Sequence, residues 1–132
     1  MTSYCTHNEN AEMWIGDTGA TCHMKSSTEG MYDLEKSHKV KIDTANGSLS
    51  TVTHIGKYKG NVLCADGETK KIVMKNVKVV PGLVKNLFSL STVMHNYWDL
   101  LTETRNNVKI LKIKKGNIEY KFKYLKMQME AI

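Results

Sequence analysis

Proline occurs once in the 132 residues, at Pro81, so no Pro-rich linker divides the chain. Cysteine occurs three times, at Cys5, Cys22 and Cys64, an odd and widely spaced set that argues against a disulfide framework and for a reducing, cytoplasmic compartment. Long apolar runs are missing too. None approaches the ~20 residues a membrane helix needs, so no membrane partner is expected. The polar stretch Met1–Asn10 lacks the apolar core of a signal peptide. No internal repeat or low-complexity segment occurs. What remains is one domain's length of ordinary globular composition, 41% hydrophobic and 24% charged.

The formal charge is +6. Much of the excess lies late in the chain, at Lys109, Lys112, Lys114, Lys115, Lys121, Lys123 and Lys126. Lysines on the outer face of alternating strands give this pattern with no partner; weak contact with nucleic acid is the other reading.

Alternation of apolar and polar residues predicts strands. Val40–Thr44 and Leu49–Thr53 flank Asn46-Gly47, a strong hairpin signal. A second hairpin is predicted at Asp66-Gly67, joining 61–64 to 70–74, and a third at Lys115-Gly116-Asn117, joining 108–113 to 118–124. Val77–Val80 is a further β-branched run, stopped by Pro81-Gly82. Only 86–95 reads as helical, with Leu87, Leu90, Val93 and Met94 on one core-facing side, and Ser26–Ser37 reads mostly as loop. Trp14, Tyr97 and Trp98 are expected in the core or a dimer interface. The fold class expected is all-β, a small closed barrel with one short helix near residues 86–95. Residues 1–11 read as a flexible linker, 12–126 as the barrel and 127–132 as a C-terminal tail.

One motif carries chemistry. Trp14-Ile15-Gly16 runs into Asp17-Thr18-Gly19-Ala20, an apolar entry to a tight turn that can present a carboxylate. Thr18 supplies a hydroxyl, and Gly19 and Ala20 leave room for a second backbone or a substrate. The tripeptide alone arises by chance in roughly a few per cent of chains this long. Paired-carboxylate hydrolysis needs two such groups close enough to share a proton. The motif occurs once, and Asp33, Asp43, Asp66 and Asp99 lie in polar or turn-like surroundings. A two-fold axis beside Asp17 would supply the second carboxylate from another copy of the chain. No cofactor is called for, and no metal: Cys5, His7, Cys22 and His23 are of ligand type but match no common zinc spacing. His38, His54 and His95 stand isolated, and no Gly-x-Ser-x-Gly elbow supports a serine nucleophile.

Three ordered blocks extend the motif. They are Trp14–Met24 with its Asp-Thr-Gly-Ala-Thr and His-Met; Lys39–Gly47 followed by Val52-Thr53-His54-Ile55-Gly56; and Lys75–Leu90 with its Val-Pro-Gly-Leu and Asn-Leu-Phe-Ser-Leu. Together they resemble the protease segment of copia-type long-terminal-repeat retrotransposon Gag-Pol polyproteins, a branch of the retropepsin-like aspartic proteases. The resemblance implies a retropepsin-like barrel with Asp17 as catalytic aspartate of a homodimer, Thr18 bonding across the two-fold axis and Gly19 lining the groove. It implies a flap at Ala45-Asn46-Gly47, and support of the active-site loop from behind by Asn86, Leu87, Phe88 and Ser89. It also implies a polypeptide substrate, the polyprotein's own junctions, cut in the cytoplasm within a virus-like particle. No integrase or reverse-transcriptase motif follows and no zinc knuckle precedes, so the segment reads as a fragment of a polyprotein, a degraded element, or an open reading frame retained on its own. The same residues also allow a second reading, a catalytically inactive barrel of this kind serving as a structural or binding segment.

Overall fold

The alternation seen in the sequence becomes a sheet that closes on itself. In the computed structural model, which describes residues 11–43 and 49–132, the described residues form ten strands and one short helix. These are β1 (Ala11–Asp17), β2 (Met24–Lys25), β3 (Met31–Asp43), β4 (Leu49–Leu63), β5 (Thr69–Val79), β6 (Asn86–Ser89), α1 (Leu90–His95), β7 (Asp99–Arg105), β8 (Val108–Lys115), β9 (Ile118–Lys123) and β10 (Lys126–Ala131). The strand order is β3-β4-β5-β2-β6-β1-β10-β9-β8-β7, and β4 pairs additionally with β10. That last pairing closes six strands, β4-β5-β2-β6-β1-β10, into a barrel. Closure pairs both edges of these six strands and leaves β3 and β7 as the edge strands of the whole sheet.

Two extensions leave the barrel. Strands β9, β8 and β7 form a wing beyond β10. On the other side β3 pairs with β4, and from Val40↔Val52 to Asp43↔Leu49 these two strands have no third partner, since the β4–β5 ladder begins only at His54. Both predicted hairpins outside this arm form in the expected places: Val62 faces Lys70, and Tyr120 faces Ile113. Gly67 and Gly116 turn them at φ +88° and +60°, backbone that favours glycine. The loop of the first hairpin, with Ala45, Asn46 and Gly47, lies outside the described residues.

The core fills the barrel. Trp14, Tyr58, Val62, Phe88, Phe122, Met127 and Met129 pack in one cluster, each almost wholly buried. Trp14 and Tyr58 meet with ring centroids 5.1 Å apart. Burial of such side chains is the main stabilising term, about 1.5–3 kcal/mol for each large apolar group.

Four sequence expectations need correction. The helix is shorter than 86–95: Asn86–Ser89 is a strand whose backbone is taken up in a parallel ladder with β1, and α1 starts at Leu90. Leu87 therefore lies in β6, and Met94 is exposed while Leu90 and Val93 are buried. Most of 26–37 is not loop, because β3 begins at Met31 and follows β4 through two register shifts. Residues 127–132 are not a tail: Met127 and Met129 point into the core from β10, whose backbone pairs with both β1 and β4. Strand β7 carries no clear alternation and was not foreseen. Tyr97, expected in a core or interface, is 86% exposed.

One charge lies wholly inside. Lys25 on β2 is fully buried, and its ammonium donates to Glu12 Oε2 at 3.0 Å and to Ser27 Oγ at 3.3 Å. Asn86 Nδ2 donates to the same Glu12 oxygen at 3.0 Å, and Asn86 Oδ1 accepts from the Ser26 backbone at 3.1 Å. The network thus ties β1, β2 and β6 together at the end of the barrel where β1 and β6 begin. Lys25→Ala would strand Glu12 in partly dry surroundings. Glu12 is 25% exposed, so water can rescue some of its hydration, and the expected cost is about 2 kcal/mol. Lys25→Met keeps the volume, removes one desolvated charge, and should cost less than Lys25→Ala. Urea denaturation of both variants checks the order; equal losses would mean that the lost charge pairing, common to both, and not packing, sets the cost.

Candidate active site

β1 delivers the carboxylate. Its second half runs parallel to β6 in the register Trp14↔Asn86, Ile15↔Leu87, Gly16↔Phe88 and Asp17↔Ser89. On its other side β1 is held by β10, and the Gly16 amide donates to the Leu125 carbonyl at 2.9 Å. Asp17 is therefore the last residue of a strand paired on both sides, half-buried, with exposed Thr18 and Gly19 beyond it. Its Oδ1 accepts from the Gly19 amide at 2.7 Å, which folds the turn over the carboxylate. A Cβ on Gly19 would sit 3.3 Å from that oxygen, so the small residue keeps the turn open.

Behind the turn, three hydroxyls hold three loop carbonyls. Ser91 Oγ donates to Thr18 O at 2.7 Å, Ser89 Oγ to Ala20 O at 2.6 Å, and Thr92 Oγ1 to Thr21 O at 3.2 Å. Ser89 is also the N-cap of α1: its oxygen accepts from the Thr92 amide at 3.1 Å. A loop whose carbonyls are fixed this way has few ways to rearrange, and preorganisation of a reactive group is what catalysis asks of a scaffold.

His23 completes the support. It is buried against Phe88, ring centroids 4.9 Å apart, and its Nδ1 accepts from the Ser89 amide at 2.9 Å. Burial lowers its pKa to about 4, so the ring is neutral at ordinary pH. With Nδ1 accepting, the proton sits on Nε2.

The residues read from the sequence divide clearly. Asp17, Thr18, Gly19 and Ala20 form the turn, and Ser89 touches it directly. Phe88 supports it through packing on His23, and Leu87 only through the ladder with Ile15. Asn86 acts at the far end of β6, through Glu12 and Ser26. Thr18 is anchored by its carbonyl, not its hydroxyl. Ser91, Thr92 and His23 were missed as supports. The signal available was the hydroxyl run Ser89-Leu90-Ser91-Thr92 at a helix start. The other aspartates considered lie on other elements. Asp33 pairs with Lys57 at 3.2 Å, Asp66 caps its own turn through the Glu68 amide at 3.0 Å, and Asp99 opens β7 opposite Lys114. Asp43 ends β3 in the two-stranded arm.

Cys22 and Cys64 are free and buried. Burial, first of all, pushes the Cys64 thiol up from its ordinary value, which makes it a packing group and not a nucleophile. On the wing, Lys112 lies 3.5 Å from Glu103 and 3.7 Å from Glu119, and Lys109 sits over the Tyr124 ring at 4.1 Å. The lysines there are partly neutralised by the wing's own acids.

A family model described as "Pol polyprotein, beta-barrel domain" matches residues 14–98. The match takes in the second half of β1, the Asp17 turn, β2 to β6 and α1, and stops before β7. No curated protein and no solved structure matches the chain.

Proposed function

The chain belongs to the Pol polyprotein β-barrel domain family, and from that premise we propose that it is the aspartic endopeptidase segment of a copia-type retrotransposon polyprotein. The observation that carries the reading is the anchored turn: Asp17 leaves a doubly paired strand into a loop whose carbonyls are held by Ser89, Ser91 and Thr92. Such a loop offers its carboxylate at the surface in a fixed orientation.

One chain brings one carboxylate to this place, so the proposed enzyme is a homodimer with two Asp17 turns facing across a two-fold axis. Two carboxylates that close hold one proton between them. The ionised one takes a proton from a bound water, whose oxygen attacks the peptide carbonyl. The protonated one donates to the carbonyl oxygen, giving a tetrahedral intermediate. Return of a proton to the amide nitrogen then breaks the C–N bond. Extended polypeptide adds as a strand beside the turn, with the β3–β4 arm folding over it.

Dilution tests the dimer and the function together. A diverse peptide library, incubated from about pH 4 to 7, should be cut with a specific activity that falls as the protein is diluted through its dimer dissociation constant. Constant specific activity across a sedimentation-verified monomer–dimer transition would sink the shared site. Silence from a folded dimer would leave the inactive structural reading as the better account.

A further inference from the structure

A cavity of about 590 Å³ is lined in part by His23 and Thr92, which also support the Asp17 turn. Its floor is aromatic: Phe88 from β6, Trp98 after α1, and Tyr120 and Phe122 from β9. Trp98 and Tyr120 lie 5.9 Å apart, and Tyr120 stacks on Phe122 at 6.4 Å and 18°. The volume suits a ligand of one or two fused rings, and the partly exposed rings of Trp98 and Tyr120 offer it an aromatic surface, while Phe88 and Phe122 are buried.

The charges at this cavity have one sign. Lys75 and Lys115 line it, and no Asp or Glu does. Neither lysine belongs to an ion pair among the described residues. Lys115 spends one N–H on the Asn96 carbonyl at 2.9 Å and stands 6.0 Å from the Trp98 ring centre, leaving two donors for a ligand. Asn76 and Asn96 add polar groups nearby, and the neutral His23 adds its Nε2–H from within.

The rim is built at a conformational cost. Tyr97 follows the C-cap of α1 with φ +66°, at the position where glycine or asparagine usually ends a helix. A tyrosine held there, 86% exposed beside an aromatic cavity, gains nothing from the core. Asn76, at φ +56° in the irregular part of the β4–β5 ladder, faces it from the other wall.

We propose that this cavity is a binding site for a planar aromatic anion, its ring against Trp98 and Tyr120 and its negative group between Lys75 and Lys115. The site is separate from peptide hydrolysis and does not depend on it. It touches the Asp17 turn only through His23 and Thr92, both of which line the cavity and bond to the turn or its N-cap. Part of it, including Lys115, Tyr120 and Phe122, comes from the wing beyond residues 14–98.

Amide NMR of the whole chain tests this, with indole-3-acetate as probe and indole-3-acetamide as its neutral twin. The anion should give saturable shifts centred on the Trp98 indole N–H and on Asn76 and Asn96. The neutral twin should bind at least about tenfold more weakly, the factor expected for losing charged hydrogen bonds. The double variant Lys75→Gln/Lys115→Gln should erase that difference, and because both lysines are exposed its spectrum elsewhere should stay unchanged. Non-saturating shifts, equal binding of the two probes, or a preference for the anion that survives the double variant would each overturn the proposal. Cleavage is not read at any point, so a failed protease assay and a failed binding assay remain distinct results.

Discussion

Asp17→Asn is expected to reduce peptide cleavage on the order of 10⁴-fold or more while leaving the fold intact, since removing a group that transfers the proton removes the chemical step itself. Asparagine keeps the shape of the side chain, and its Oδ1 can still accept from the Gly19 amide as the carboxylate does at 2.7 Å. The loop behind it depends on Ser89, Ser91 and Thr92, none of which touches the Asp17 side chain. Stability should therefore change by no more than about 0.5 kcal/mol, as for a partly exposed surface substitution. The mixed dimer gives the sharper version of the experiment. Excess Asp17→Asn chain added to wild type should suppress activity, because each heterodimer holds one carboxylate where two are needed. Activity that persists in the mutant, or that is untouched by the mixture, would remove Asp17 from the chemistry.

Much of the barrel was readable because its strands are half-buried and alternate. Tyr58 and Val62 on β4, and Ile72 and Met74 on β5, turn inward by simple counting, and both glycine hairpins formed where their turns said they would. What was not readable is where long-range pairing overrides local preference. Asn86–Ser89 has helical spacing, yet the chain spends those four residues on a parallel ladder with β1, because that ladder aligns Ser89 with Asp17. Residues 127–132 read as a tail because they show no clear end-of-domain pattern, yet most of them belong to β10. Its partners are at least 111 residues away on β1, from Lys126 to Ile15, and at least 65 on β4, from Gln128 to Leu63, and no local signal can report them.

The candidate site shows the same division. The Asp-Thr-Gly turn is a local object, and its residues could be read from the sequence alone. Its support is not local: each hydroxyl that holds the turn comes from about 70 residues downstream, as in Ser89 to Ala20 and Ser91 to Thr18. The resemblance to copia-type proteases pointed to Asn86–Ser89 as the support. The geometry moves the weight one step along, onto Ser89, Ser91, Thr92 and His23, while Asn86 serves the buried Lys25–Glu12 pair.

Acid should loosen this support before it stops any chemistry. His23 titrates near 6.5 in an unfolded chain and at about 4 in the folded one, because burial opposes its charge. Between those two values the unfolded state binds more protons than the native state, so stability rises with pH across the window and falls as pH drops from 6.5 toward 4. Below 4 the histidine's contribution levels off. Its full span corresponds to about 3 kcal/mol, an order-of-magnitude figure and a large share of a small domain's stability. Charging His23 would also remove the acceptor for the Ser89 amide, and Ser89 caps α1 and holds Ala20. The damage therefore reaches the Asp17 turn directly. Chemical denaturation at pH 7, 5.5 and 4 should show this loss in wild type. His23→Asn, whose Oδ1 can take the place of Nδ1 but does not titrate, should show a flatter profile, and the difference between the two isolates the histidine from the carboxylates. Parallel profiles would mean that His23 charges without penalty and that its burial does not control the acid limit. If the profiles diverge as expected, a protease built on this barrel meets its lower pH limit through loss of structure around His23, so its working range should lie toward the neutral end of what a carboxylate pair allows.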